Sequence, residues 1–251
     1  MKIKSAFLGP VFAAAMAFTS ASSNAETYQS FLEYTKVSAF GATSGSAAGV
    51  PKLVTPAGLV TVVEGGLNGN GHYTYLDVSV QLASGFRFID TGTHELFSYN
   101  LSQPTQVSVS FVDPAKYKTF SGSLGTNPPF GPSFSNAVTC APAYGCGANP
   151  GGSPGNLLLF RITDNVGGPD GIEIGDPIHA PSNLINQLIS TSYGWWFAAD
   201  VANVAGNTGA IGARDFIVFT AVPEPETYTM LFTGLGLMGF VAARRRKKIT
   251  A

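Results

Sequence analysis

The chain has 251 residues, with 14 Lys or Arg against 15 Asp or Glu, and only 12% of its residues are charged. The near-zero net charge hides an asymmetry: residues 26–220 carry seven basic and thirteen acidic side chains, a net charge of −6, while the two ends hold the other seven cations. Such a body has no basic stripe to meet phosphates, which excludes nucleic acid as a ligand.

The first predicted element is a secretory signal peptide over residues 1–25. Lys2 and Lys4 give a positive start, residues 6–18 are mostly apolar, and Ser23 and Ala25 place small side chains before a cut preceding Glu26. Residues 26–220 then suffice for one β domain with its own core. Thirty glycines and sixteen prolines punctuate a chain rich in Phe and Tyr, the composition of short strands and turns.

Strands are predicted in chain order over residues 31–37, 59–63, 76–82, 86–89, 107–111, 156–163, 194–201 and 215–222. Leu76, Val78, Val80 and Leu82 alternate with Asp77, Ser79 and Gln81, as do Val107, Val109 and Phe111 with Ser108 and Ser110, the period of half-buried strands. "NLLLFRIT" (156–163) and "DFIVFTAV" (215–222) are apolar on both faces and read as central strands. "GGLNGNGH" (65–72) separates two strands as a hairpin loop. One short helix is expected after Ser182, where Leu184, Ile185, Leu188 and Ile189 recur at helical spacing. The Gly/Pro-rich residues 122–155 read as one long loop. The fold expected is all-β, a single jelly-roll-like β-sandwich.

Few patterns suggest chemistry. Cys140 and Cys146, in "TCAPAYGCG", favour a local disulfide in an oxidising compartment; the alternative, two ligands of a metal site, lacks a nearby His or third Cys. "GGSPG" (151–155) matches the G-x-S-x-G nucleophile elbow, but Pro154 follows Ser153 within coil where a strand-to-helix turn is required. His72, His94 and His179 are scattered and form no motif. Asp164, Asp170 and Asp176, with Asn165 and Glu173, are hard oxygen ligands among glycines, as in extracellular Ca²⁺ loops. Their spacing is not that of an EF-hand, and ordinary turns favour the same residues. They are the candidate cation ligands; no catalytic residue and no cofactor is expected.

The last predicted element is a membrane segment over residues 227–243, apolar and uncharged from Tyr228 to Ala243. It is at the short limit for a bilayer span. Arg244, Arg245, Arg246, Lys247 and Lys248 follow directly and should stay cytoplasmic, leaving the body on the other side. "GLGLMG" (234–239) lies inside this segment and formally matches G-x-G-x-x-G. A dinucleotide site needs a strand before the glycines and a further strand with an acidic residue after them; here neither follows, so the match is accidental.

Pro223-Glu224-Pro225, an apolar stretch and an arginine cluster resemble, in that order, the PEP-CTERM sorting signal of Gram-negative bacteria. The resemblance covers residues 223–251. It implies cleavage near the Pro-Glu-Pro motif by an exosortase, a membrane-embedded cysteine peptidase, and association with extracellular polysaccharide or biofilm. "FRFIDTGTHELFSYNL" (86–101) and "ADVANVAGNTGAIGARD" (199–215) are also similar to stretches of other PEP-CTERM-bearing ectodomains, themselves of unknown function.

The expected protein is therefore non-enzymatic and exported across the inner membrane. It is held there transiently as a precursor, then placed at the cell surface or in the matrix. A carbohydrate-binding sandwich is the alternative, with Trp195 and Trp196 as stacking residues; adjacent Trp in a strand face opposite sides, so at least one should belong to the core. A hydrolase or lyase acting on the same matrix is the third class, but no pair of carboxylates stands out for it.

Overall fold

The structure is a computed structural model describing residues 27–67, 72–90, 95–102, 107–121, 130, 134–141, 144, 146, 155–165, 172–174, 186–219, 233, 235 and 238. The signal peptide, the Pro-Glu-Pro motif and the basic cluster lie outside these residues. Of the predicted membrane segment only Thr233, Leu235 and Met238 are described; they are helical and exposed. Among the described residues no helix is long and apolar enough to cross a membrane.

The described chain is built of antiparallel sheets, as the alternating patterns predict. In the first sheet, β1 (Thr27–Leu32) lies between β16 (Ile217–Phe219) and β4 (Gly58–Leu67). The sheet continues through β5 (Tyr73–Leu82) and β11 (Leu157–Asp164) to β8 (Val107–Phe111). β4 and β5 form the predicted hairpin, in register from Gly58↔Leu82 to Leu67↔Tyr73. Val60 and Val62, then Leu76, Val78, Val80 and Leu82, then Leu158, Phe160 and Ile162 all point inward and are buried. The residues between them face out, which makes this a sheet with one dry and one wet face.

The second sheet is centred on β7 (Phe97–Leu101). One edge of β7 pairs with β10 (Asn136–Cys140), which in turn pairs with β9 (Tyr117–Ser121). Its other edge pairs with β14 (Phe197–Asn203) and, further along, with β13 (Asn186–Ile189). β15 (Thr208–Ala213) and β6 (Phe86–Phe88) pair with β14, and β12 (Ile172–Ile174) runs parallel to β13. A small hairpin, β2 (Thr43–Ala47) and β3 (Val50–Leu53), turns at Ala48 and Gly49, both with positive φ as a two-residue turn requires.

The two large sheets stack through one apolar cluster. Phe160 of the first sheet meets Phe97 and Tyr99 of the second with ring centroids 6.0 and 5.7 Å apart, and Phe97 stacks on Phe197 at 5.4 Å. Among the described residues the sheets hold six and eight strands, wider than the two four-stranded sheets of a jelly roll.

The outer face of the second sheet is also covered. Small residues there (Ala137, Ala198, Ala210 and Gly212) admit a second layer of Tyr34, Val50, Phe130, Phe134 and Trp195. A Cβ on Gly212 would overlap the Phe130 ring, so glycine at this position is what lets Phe130 settle on the sheet.

Four sequence expectations are corrected. The helix expected after Ser182 is, where described, the strand β13: Leu188 and Ile189 pair with Leu101 and Asn100, and the sheet edge overrides the helical spacing. The long loop expected over residues 122–155 contains β10, buried along its whole length between β7 and β9. Double-sided burial removes the alternation by which strands are recognised. The stretch 215–222, expected as a central strand, contributes β16 at the edge of the first sheet, and its Phe216 packs on Trp196 and Phe197 rather than lying between two strands. The expected strand at 31–37 ends at Leu32, after which Tyr34 crosses to bridge Lys52 and Gly212 in the second layer.

β1 and β16 bring the two ends of the body together, with Thr27 opposite Phe219 and Gln29 opposite Ile217. Phe216 fixes this closure, its ring 4.5 Å from Trp196, 5.5 Å from Phe197 and 6.0 Å from Tyr28, and the Ser30 hydroxyl donates to the Asp215 carbonyl at 2.6 Å.

Burial in the inter-sheet core raises the pKa of the Tyr99 phenol above its ordinary value. The neutral phenol is therefore the form the fold holds, and its contribution is complete below about pH 10 and lost as pH rises beyond it. In a Tyr99→Phe variant, the fall in unfolding free energy above about pH 10 should be shallower by up to ~1.4 kcal/mol per pH unit, measured by urea denaturation at stepped pH. An identical slope in both proteins would show that Tyr99 ionises alike folded and unfolded.

Candidate functional site

The outward residues of β4, β5, β11 and β8 fall into two rungs across the first sheet. Thr61, Ser79 and Leu159 form one; Val63, Asp77, Arg161 and Ser110 form the next. Together with Val112 they line a groove of about 450 Å³. Alternation places these side chains here: each is the outward neighbour of a residue buried in, or packed against, the core.

At the centre of the groove Arg161 holds Asp77 with two parallel hydrogen bonds, Nε to Oδ1 at 2.6 Å and Nη2 to Oδ2 at 2.7 Å. Its guanidinium lies 3.7 Å from the centre of the Tyr75 ring. The hydrogen bond to Asp77 raises the pKa of Arg161, so the guanidinium is permanently charged. The Tyr75 ring leans over its register partner Gly65, where any Cβ would collide with the ring, and Gly66 beside it has φ +69°. Glycine at both positions is what admits the ring, since a side chain at Gly65 would overlap it and the positive φ of Gly66 favours glycine. The ion pair itself is half-exposed and stabilises the fold by only about 0–1 kcal/mol.

A second polar cluster surrounds the cysteines. Cys140 and Cys146 are joined as a disulfide, with Cα atoms 5.8 Å apart, as the sequence favours. The Asp90 backbone N–H donates to the Cys146 carbonyl at 2.8 Å, and the Cys140 N–H donates to Asp90 Oδ2 at 3.3 Å. Burial and then the nearby Asp90 charge raise the pKa of Glu95. Among the described residues no group of three or more His, Cys, Asp or Glu side chains is placed to hold a metal ion. Asp164, at the end of β11, is half-buried, and Asn165 after it is exposed. Asp170, Asp176, Ser153, His94 and His179 lie outside the described residues, and His72 directly precedes β5.

The two tryptophans are both inside, 1% and 6% exposed. Trp196 enters the inter-sheet core against Phe216, while Trp195 enters the outer layer between Tyr34, 5.2 Å away, and Phe130, 4.9 Å away. The expected opposite orientation is observed, but each side of the sheet is dry, so neither ring offers a sugar-stacking face. The residues that sequence reading missed are Arg161 and Tyr75. Only the outward positions of β5 and β11 hinted at them, and no local pattern specifies the register that makes Asp77 face Arg161.

No curated protein and no solved structure matches the chain. A family model does, over residues 221–247, beginning two residues beyond the end of β16.

Two outcomes check this description. Trp195→Ala and Trp196→Ala should each destabilise the body by about 3–5 kcal/mol in denaturant titrations, the cost of emptying an aromatic core site. Mass spectrometry of the exported protein should find no free thiol, and Cys140→Ser should lower stability by about 2–3 kcal/mol.

With its Pro-Glu-Pro motif, apolar stretch and arginine cluster in order, the segment 221–247 is a PEP-CTERM protein-sorting motif, the C-terminal sorting signal of exosortase substrates.

Proposed function

We propose that this chain is a non-enzymatic exported protein of a Gram-negative bacterium, cut by an exosortase near Pro223-Glu224-Pro225 and delivered to the cell surface or the exopolysaccharide matrix of a biofilm. The sorting motif at residues 221–247 carries this reading. It marks a secreted, membrane-anchored precursor that is processed to the cell surface.

The closure of the body supports it. Thr27 lies one residue after the expected signal-peptide junction at Glu26, and Phe219 lies four residues before Pro223. Their strands pair directly, so the described body begins and ends at one corner. A precursor tethered to the membrane at that corner presents the rest of its surface outward. Among the described residues that line the groove the one carboxylate, Asp77, is engaged by Arg161. Glycoside hydrolysis uses two carboxylates, so the groove has the character of a binding face.

Deleting residues 223–251 tests the reading. The truncated protein should lose membrane retention and yield no processed intermediate when cell fractions are followed by immunoblot. Unchanged processing and location would remove the sorting function.

A further inference from the structure

The sorting motif delivers the body but makes no use of the groove on the first sheet. We infer that this groove binds a neutral, hydroxyl-rich polysaccharide chain, with Arg161 and Asp77 as its hydrogen-bonding centre. The inference rests on the proposed delivery of the body to a polysaccharide matrix and names the site that would hold it there.

Four observations carry it. First, the pair is preorganised: Tyr75, laid over Gly65, supports one face of the guanidinium while Asp77 fixes its plane. A group held in place before binding loses little freedom when a ligand arrives. Second, the pair offers both hydrogen-bonding roles side by side. Asp77 takes two of the five guanidinium N–H groups, leaving further donors on Arg161, and its carboxylate oxygens keep acceptor capacity. Adjacent sugar hydroxyls, each both donor and acceptor, fit such a donor–acceptor pair. Third, the lining is mixed. Thr61, Ser79 and Ser110 add hydroxyls, while Val63 and Leu159 give an apolar shelf for the C–H face of a ring. Fourth, the charges select a neutral ligand: the ion pair is neutral as a unit, and the body around it carries −6, which repels a polyanion.

The groove crosses four strands, roughly 14 Å at the usual interstrand spacing. It is open to solvent, so a long chain can pass through without an end having to enter.

The test uses the processed protein and the extracellular polysaccharide of the cells that make it, separated by anion exchange into neutral and acidic fractions. Electrophoresis through gels containing each fraction should show retardation by the neutral one. Arg161→Ala and Asp77→Asn should each weaken that retardation at least about tenfold, the scale for losing a charge-assisted hydrogen bond. Ser79→Ala should weaken it a few-fold. Gly65→Ala should weaken it by displacing Tyr75; should that variant fail to fold, Tyr75→Leu probes the same support. Circular dichroism should show the other variants folded. Retardation by the acidic fraction alone or by neither fraction, or variants that bind like the parent, would overturn the inference. Tail processing is scored separately on the same strains. A protein that binds the neutral fraction but is never processed would sink the sorting reading and leave the groove standing, and the reverse outcome would do the opposite.

Discussion

Burial of the second sheet on both faces is the constraint from which the rest of the structure follows. β7, β10 and most of β14 have no solvent side. Their inner residues, Phe97, Tyr99, Val138 and Phe197, are large and fill the space between the sheets, whereas their outer residues, Ser98, Ala137 and Ala198, are small. Sheets pack about 10 Å apart when the facing side chains are large, and a covering layer comes closer only over small ones. The second layer of Tyr34, Phe130, Phe134 and Trp195 exploits this closeness. The two tryptophans are the hinge of the arrangement, one serving each layer.

With the second sheet enclosed, the wet face of the first sheet is left to interact with other molecules. Polar residues are affordable there because water satisfies them on that side while Val78, Phe160 and their neighbours keep the other side dry. The Arg161–Asp77 pair is therefore a surface feature built on a rigid floor. Register, set by the β4–β5 hairpin and by the pairing of β11 with β5, aligns its components to within one rung. A slip of one residue would send Arg161 into the core and Phe160 to solvent.

The same economy appears where the body meets its sorting signal. Phe216 is held by three aromatic neighbours just before the short edge strand β16, which ends two residues ahead of the motif. Pairing of β16 with β1 means that the last strand docks against the first, which ties completion of the fold to both ends of the exported chain. The local disulfide at the end of β10 is the covalent counterpart, closing a seven-residue turn beside Asp90 in an oxidising compartment.

By itself the sequence determined what depends on local pattern and on linear order. The sorting signal is a linear motif, and so its three parts were legible at residues 223–248. The alternation at 76–82 and 107–111 gave half-buried strands because their period directly reflects one wet face and one dry face. The Cys140–Cys146 bridge was legible because its partners are neighbours in the chain. Tertiary structure alone decided what depends on residues distant in sequence. Arg161 meets Asp77 across 84 positions, β10 is a strand because β7 and β9 flank it, and Leu188 is extended because β7 and β12 pair with it. Each is a long-range backbone pairing, and the free energy of such a pairing belongs to both strands at once, so neither segment read alone can announce it.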